Sequence, residues 1–202
     1  WQEAWLPVRP AGASAFWEVA SLPGEAQRIS ALEAALKSCL FQTLDVLDAA
    51  IEAGVARSYW PYASTMLSFV RHGRLFGFFR DRQRDCVDDD VDLKVLLPPG
   101  GWARFVDDMS QRMRRLGFAC YVGAPPANAS AMSVRFEQLL CFGTRDGALC
   151  PVSFFRVDDD GSAPDLDGLP CLAYDRPIRC PRRAIPDLVA RYGGFPAVPR
   201  IG

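Results

Sequence analysis

Four closely spaced aspartates ahead of an apolar run are the residues of this chain best suited to chemistry. Asp90 and Asp92 alternate with apolar residues, which is the pattern of a strand with one polar and one apolar face. Side chains two residues apart in a strand lie on the same face, about 6.5–7 Å apart, so the two carboxylates would converge. Such a pair can bind Mg²⁺ or Mn²⁺, which in turn can bind and polarise the phosphates of a nucleotide. We predict a metal site at Asp90 and Asp92, with Asp88 and Asp89 as further catalytic candidates.

A segment with two glycines and an arginine precedes the aspartates. Gly73, Gly77 and Arg80 form the pattern G-x-L-x-G-x-x-R, and the aspartates begin eight residues after the arginine. Glycine has no Cβ, permits positive φ and leaves backbone amides open toward an anion. We therefore predict a phosphate contact at Gly73, with Arg74 and Gly77 beside it in the substrate site. Arg80 would bind a donor phosphate in bidentate fashion or pair with one of the aspartates.

These two segments resemble the signature of the LicD/fukutin family, in which G-T-L-L-G-x-x-R precedes a D-D-D-I-D or related cluster at the same offset. That family has the nucleotidyltransferase fold, so the resemblance implies an α/β (α+β) domain with a small mixed β-sheet flanked by helices. It also implies a metal-dependent transferase. Such an enzyme moves a phospho-alcohol, phosphocholine or a pentitol phosphate, from a CDP-activated donor to a hydroxyl of a glycan. Arg74 departs from the family, which usually has Ser or Thr at that place.

A second register of the same pattern lies earlier in the chain, over Ser64, Thr65, Leu67 and Arg71. In the family's fold, the first strand of the sheet leads to the glycine of this segment and a short helix carries the arginine. The second register would place about nine extra residues before the aspartates, so the Gly73 register is preferred. The apolar residues 66–70 are interpreted as a short buried strand or as the end of a helix.

The third carboxylate that the resemblance implies is missing from its usual place. The family usually has a V-D-I-F-like segment on a later strand, and the nearest match here is V-S-F-F, with Ser153 in place of aspartate. Asp158 would point to the other face of a regular strand, unless a bulge intervenes. Glu137, Asp88 or Asp89 could instead reach the metal. Two alternatives stay open: a catalytically inactive binding or scaffolding module, and nucleotidyl transfer to a small molecule.

Composition and charge bound the class of protein. The chain has 202 residues, half of them hydrophobic, with a net charge of −1. This suits a single domain over residues 25–202 after an irregular arm at residues 1–24. Nucleic-acid binding usually requires a basic excess, so we expect no nucleic-acid partner. No apolar stretch approaches the roughly 18 residues of a membrane span, and the initial Trp suggests a trimmed chain that could have lost a signal or anchor.

The seven cysteines and the single histidine lack the spacing of a zinc site, since there is no C-x-x-C pair. Disulfides are possible but cannot be assigned, and Cys39 and Cys141 are interpreted as buried apolar residues. For His72 we expect a solvent-facing or capping role. Fukutin-like relatives work in the Golgi lumen and LicD-like ones in the bacterial cytoplasm, so the analogy leaves both compartments open. The oligomeric state is also left open.

Hydrophobic periodicity predicts the remaining elements. We expect helices over residues 25–54, 102–116 and 185–192, strands over 118–122, 132–142 and 149–157, a turn at 144–147, and a loop at 164–174.

Overall fold

The computed structural model describes residues 25–75, 77–79, 84–86, 90–123, 137–145, 147–159, 169–183 and 186–188. In chain order its elements are α1 (Glu25–Glu52), β1 (Ser58–Pro61), α2 (Ala63–His72), β2 (Gly77–Phe79), β3 (Arg84–Cys86), β4 (Val91–Leu97), α3 (Trp102–Arg115), β5 (Ala119–Gly123), β6 (Gln138–Arg145), β7 (Ala148–Asp158), β8 (Leu169–Ala173) and β9 (Arg176–Cys180).

Five of the strands form one mixed sheet in the order β1-β4-β7-β6-β5. Only the β4–β7 pair is parallel within this sheet, and the other neighbours are antiparallel. The β2–β3 and β8–β9 pairs are separate antiparallel hairpins. This arrangement confirms the prediction of a mixed α/β chain with a sheet flanked by helices.

The two faces of the sheet follow from the alternation in β4, where apolar residues are buried and the intervening residues are partly exposed. The parallel register places Asp92 beside Ser153 and Leu93 beside Phe154. Neighbours in register point to the same side, so the sheet has two chemically different faces. The core face carries Leu93, Val95, Val152, Phe154, Leu139 and Cys141; the Asp92 face carries Asp92, Lys94, Ser153 and Phe155.

Helices α1 and α3 pack on the core face, as their apolar spacing predicts. The ring of Phe105 on α3 meets that of Phe154 edge to face, with centroids 5.9 Å apart. The large buried side chains of these two helices recur every three or four positions. They are Leu36, Leu40, Leu44 and Leu47 on α1 and Phe105, Met109 and Met113 on α3. Among the described residues, none of the helices is long and apolar enough to cross a bilayer.

Most of the predicted elements have counterparts in the structure. The predicted strand at 118–122 corresponds to β5, and residues 144–145 of the predicted turn belong to β6. Residues 66–70 lie in α2, which is the helical one of their two predicted alternatives. Residues 169–173 of the predicted loop instead form β8, because β9 supplies a pairing partner. Of the predicted C-terminal helix, residues 186–188 are helical; the rest of it and the arm at 1–24 lie outside the described residues.

Disulfide bonds involve Cys39 and Cys141, which the sequence indicated as buried apolar residues. Cys39 on α1 is bonded to Cys150 on β7, across 111 residues of sequence, and this bond ties the helix to the core face. Cys141 is bonded to Cys120, its neighbour in register on β5. Cys180 is also disulfide-bonded. Both Cys39 and Cys141 are buried as predicted, and they belong to disulfides that the sequence left unassigned.

Candidate functional site

Asp92 is held by both of its backbone groups. Its N–H donates to Thr65 Oγ1 at 2.9 Å, and its carbonyl oxygen accepts from Tyr62 N–H at 2.9 Å. Thr65 lies in the first turn of α2 and is fully buried. A buried hydroxyl with a defined partner has little freedom, so the start of α2 fixes the position of the aspartate strand.

The turn that connects β1 to α2 has an unusual backbone. Ala63, the first residue of α2, has φ 48°, in the left-handed region that glycine adopts most easily. For an L-residue this conformation costs about 1–2 kcal/mol. Such strain is often found at functional sites, where surrounding contacts maintain it. Here the strained residue lies between Tyr62 and Thr65, the two residues that hold Asp92.

The position of α2 favours the second register of the glycine–arginine pattern. Ser64, Thr65, Leu67 and Arg71 all lie on α2, which directly follows the sheet strand β1 and contacts the aspartate strand through Thr65. The β2–β3 hairpin lies between α2 and β4 and accounts for the extra residues of that register. This register requires about nine extra residues before the aspartates, and the described part of that segment forms the β2–β3 pair.

Gly73 has a helix-capping role in place of the phosphate contact predicted for it. It adopts φ 65° as the C-cap of α2, and its N–H donates to Phe69 O at 2.9 Å. Its carbonyl oxygen accepts from Tyr174 N–H. Helices commonly end in a left-handed glycine, so the glycine is explained by the end of α2. Its amide is engaged within the helix and is not offered to an anion.

Two further residues of the Gly73 register, Arg74 and Gly77, have described partners on other elements. Arg74 pairs with Glu33 of α1, with 3.5 Å between Nη1 and Oε2. Gly77 is the first residue of β2, opposite Cys86 of β3. Arg80 lies outside the described residues, so its phosphate role stays a prediction.

Two of the four candidate aspartates are described. Asp92 is the second residue of β4, and Asp90 lies one residue before that strand and is partly buried. Asp88 and Asp89 lie outside the described residues, and their catalytic roles stay predictions. Within the described ranges, no three His, Cys, Asp or Glu side chains are grouped to hold a metal ion. The two described carboxylates have the chemistry that Mg²⁺ or Mn²⁺ prefers, so the donor set suits such an ion in type.

Ser153 occupies the place beside Asp92 where the resemblance implies a carboxylate. It is the residue paired with Asp92 in the parallel register, and it is only 8% exposed. A neutral hydroxyl is a weaker ligand for a hard cation than a carboxylate. The described residues here are therefore two aspartates, Asp90 just before β4 and Asp92 within it, and a serine on β7 in register with Asp92.

The substitutes considered for the third carboxylate are engaged elsewhere. The β4–β7 register is regular as far as Asp158, which places this residue on the side of the sheet opposite Ser153. Arg156 pairs with Asp158 at 2.9 Å and also with Glu137, and these hydrogen bonds raise the pKa of Arg156. Neither Asp158 nor Glu137 is thus available to complete the site in this arrangement.

A cation and two aromatic rings lie on the Asp92 face beside the aspartate. Lys94 Nζ is 4.4 Å from the centroid of the Tyr62 ring, and the Tyr62 and Phe155 rings meet at 5.1 Å. Lys94 is two residues beyond Asp92 in β4 and shares its face. Sequence reasoning missed this residue, although the alternation D-x-D-x-K carries the signal.

No protein-family model, no curated protein and no solved structure matches the chain.

Proposed function

We propose that this chain is a metal-dependent transferase that moves a phospho-alcohol from a CDP-activated donor to a hydroxyl of a glycan. The single observation that carries the proposal is the double backbone attachment of Asp92 to the start of α2. These contacts join the end of β1 and the start of α2, which bears Ser64 and Thr65, to the aspartate strand β4. This is the order of elements that the LicD/fukutin signature implies. This arrangement supports the proposal, because it brings the start of α2 and Asp92 into contact.

In the proposed reaction, the acceptor oxygen forms a bond to the phosphorus that carries the alcohol. The bond from that phosphorus to CMP breaks, and the hydroxyl loses its proton. Asp90 and Asp92 would hold Mg²⁺ or Mn²⁺, which supplies charge neutralisation for the diphosphate. The first turn of α2 would orient a donor phosphate, because helix N-termini present amide groups and a positive dipole end. Asp88 and Asp89 are the candidates to accept the proton.

The test is CMP release from CDP-choline, CDP-ribitol and CDP-glycerol, with and without Mg²⁺ or Mn²⁺. We expect metal-dependent release that falls at least about 100-fold in the variant Asp90→Asn with Asp92→Asn, since the carboxylates that hold the metal are lost. Asp158→Asn is the matched control, because Asp158 lies on the other side of the sheet. Equal loss in both variants, or metal-independent release, would contradict the proposal.

Ser153 favours a second candidate, a non-catalytic module that keeps the fold for binding or scaffolding. Without a carboxylate beside Asp92, the site could fail to hold a metal strongly enough for turnover. Calorimetric titration of the same donors separates the candidates. A folded chain with neither turnover nor metal-dependent donor binding supports the module. Turnover with a nucleoside triphosphate, but not with CDP-alcohols, would instead support nucleotidyl transfer to a small molecule.

We also propose that the chain works in an oxidising compartment. Of the two compartments that the resemblance leaves open, the Golgi lumen fits this proposal and the bacterial cytoplasm does not. Two disulfides are described, Cys39–Cys150 and Cys120–Cys141, and Cys180 takes part in a further one. Structural disulfides persist in secretory compartments and are rare in the reducing cytosol. Alkylation of the native chain before and after reduction, read by mass spectrometry, would count the bonds. Full alkylation without reduction would overturn this assignment.

A further inference from the structure

An aromatic surface on the Asp92 face carries the positive charge of Lys94. Tyr62 holds the carbonyl of Asp92 through its N–H, and its ring lies under Lys94 Nζ at 4.4 Å. The ring of Phe155 makes an edge contact with that of Tyr62, with the two centroids 5.1 Å apart. The ammonium group of Lys94 therefore occupies an aromatic face within the neighbourhood of the proposed metal site.

This neighbourhood is where the alcohol of the donor would lie. The alcohol is joined directly to the phosphate under attack. It would therefore stay within a few bonds of the diphosphate whose charge the metal at Asp92 would neutralise. Lys94 is two residues along the same strand face, at about 6.5–7 Å between Cα atoms, which a lysine side chain readily spans. Lys94 and Tyr62 thus face the part of the donor that differs from one CDP-alcohol to another.

Cationic and uncharged alcohols would interact differently with Lys94 and Tyr62. A quaternary ammonium such as that of choline is usually recognised by an open aromatic face. Here a lysine ammonium covers the Tyr62 ring, and two cations at such short separation repel each other. The hydroxyls of an uncharged polyol can instead accept hydrogen bonds from the ammonium group.

We propose that Lys94 is a specificity-determining residue that disfavours donors with a cationic alcohol and favours donors with an uncharged polyol. The inference rests on the proposed transferase function and adds a preference among its donors. It predicts CDP-ribitol and CDP-glycerol as substrates in preference to CDP-choline.

The experiment measures metal-dependent CMP release and calorimetric binding of the three donors with the full chain and three variants. Lys94→Met removes the charge and keeps the length, whereas Lys94→Arg keeps the charge. Lys37→Met is the matched control, since Lys37 also lies over aromatic rings, with Nζ 4.8 Å from the Tyr174 centroid, but on α1. Melting temperatures verify that every variant is folded.

We expect the unaltered chain to prefer the polyol donors by about tenfold or more, in line with one unfavourable charge contact. Lys94→Met should reduce that preference about tenfold, mainly by improving CDP-choline, while Lys94→Arg and Lys37→Met retain it. Equal use of CDP-choline by the unaltered chain would overturn the inference and leave the transferase function standing. A uniform loss for all donors in Lys94→Met would also overturn it, because Lys94 would then serve only the shared diphosphate. Absence of both turnover and binding with every donor would overturn the function and the inference together.

Discussion

The two faces of the five-stranded sheet differ in what holds them, and adjacent residues of β7 show the difference. Phe154 on the core face is fully buried and meets Phe105 of α3, whereas Phe155 on the Asp92 face is partly exposed and meets Tyr62. Packing against two helices stabilises the first face. The second face is organised by backbone contacts to Asp92 and by polar and aromatic side chains. Stability and chemistry therefore depend on residues that alternate along the same strands.

The sharpest test of this division is to truncate each phenylalanine in turn. Phe154→Ala should lower the free energy of unfolding by about 3–5 kcal/mol, because it leaves a cavity in a closely packed core. Phe155→Ala should cost only about 1 kcal/mol, since a half-buried ring removes less area from water. Urea unfolding monitored by circular dichroism gives both values. Equal losses would mean that the Asp92 face is as much a part of the core as the opposite one.

Removal of the disulfide between α1 and β7 tests how the helix is retained on the core face. The double variant Cys39→Ala with Cys150→Ala should lose about 2–4 kcal/mol, because the unfolded chain gains the freedom that the cross-link removed. The control is Cys120→Ala with Cys141→Ala, whose bond spans 21 residues where the other spans 111. By loop length alone its loss should be about 1.5 kcal/mol smaller. A larger loss in the control would show that the edge strand β5 depends on its bond more than α1 does.

A change at Ser153 tests the other face. Ser153→Asp would place a third carboxylate beside Asp92, where it is buried and close to like charge. We expect the metal-free variant to be less stable than the unaltered chain and to bind Mn²⁺ about tenfold more tightly, because the ion offsets that repulsion. Melting temperatures with and without Mn²⁺ measure both effects, and Ser153→Asn is the uncharged control of similar size. The same response to Mn²⁺ in both variants would place the metal site elsewhere.

Sequence patterns predicted the division between the faces because it is a local property. The alternation in V-D-L-K-V-L-L identifies which residues of β4 turn inward, and the three- to four-residue spacing of leucines identifies the buried side of α1. Neither inference needs knowledge of a distant part of the chain. The individual helices and strands were predictable for the same reason, whereas the mixed sheet flanked by helices was expected from the family resemblance.

The disulfides and the contact of α2 with Asp92, which sequence reasoning missed, depend on contacts between distant segments. Nothing local indicates that Cys39 meets Cys150, and six paired cysteines alone allow about 15 pairings. The contact of Thr65 with Asp92 could not be predicted because the β2–β3 hairpin separates the two residues in sequence, while a hydrogen bond joins them in space. Gly73 was assigned to phosphate binding because a helix C-cap and a phosphate loop require the same left-handed glycine.

The smallest expected effect concerns the edge of the core face, where Tyr59 of β1 donates a hydrogen bond to Asp48 of α1 at 2.8 Å. Burial, then the hydrogen bond and the charge of Asp48, raise the pKa of Tyr59 well above its usual value near 10. Tyr59→Phe should therefore cost about 0.5–1.5 kcal/mol near pH 8, where the hydroxyl is protonated in both folded and unfolded chains.

The pH dependence of that cost follows from the direction of the shift. The folded chain keeps the Tyr59 proton when the unfolded chain loses it, so the contribution of the hydroxyl is fully present below about pH 10 and declines above it. The stability gap between the unaltered chain and Tyr59→Phe should then narrow between about pH 8 and pH 11, as measured by urea unfolding at each pH. Tyr121→Phe is the control, because Tyr121 is exposed and pairs in register with Leu140 on the Asp92 face. A gap that stays constant across this range would mean that packing alone, without the bond to Asp48, joins α1 to the edge of the sheet.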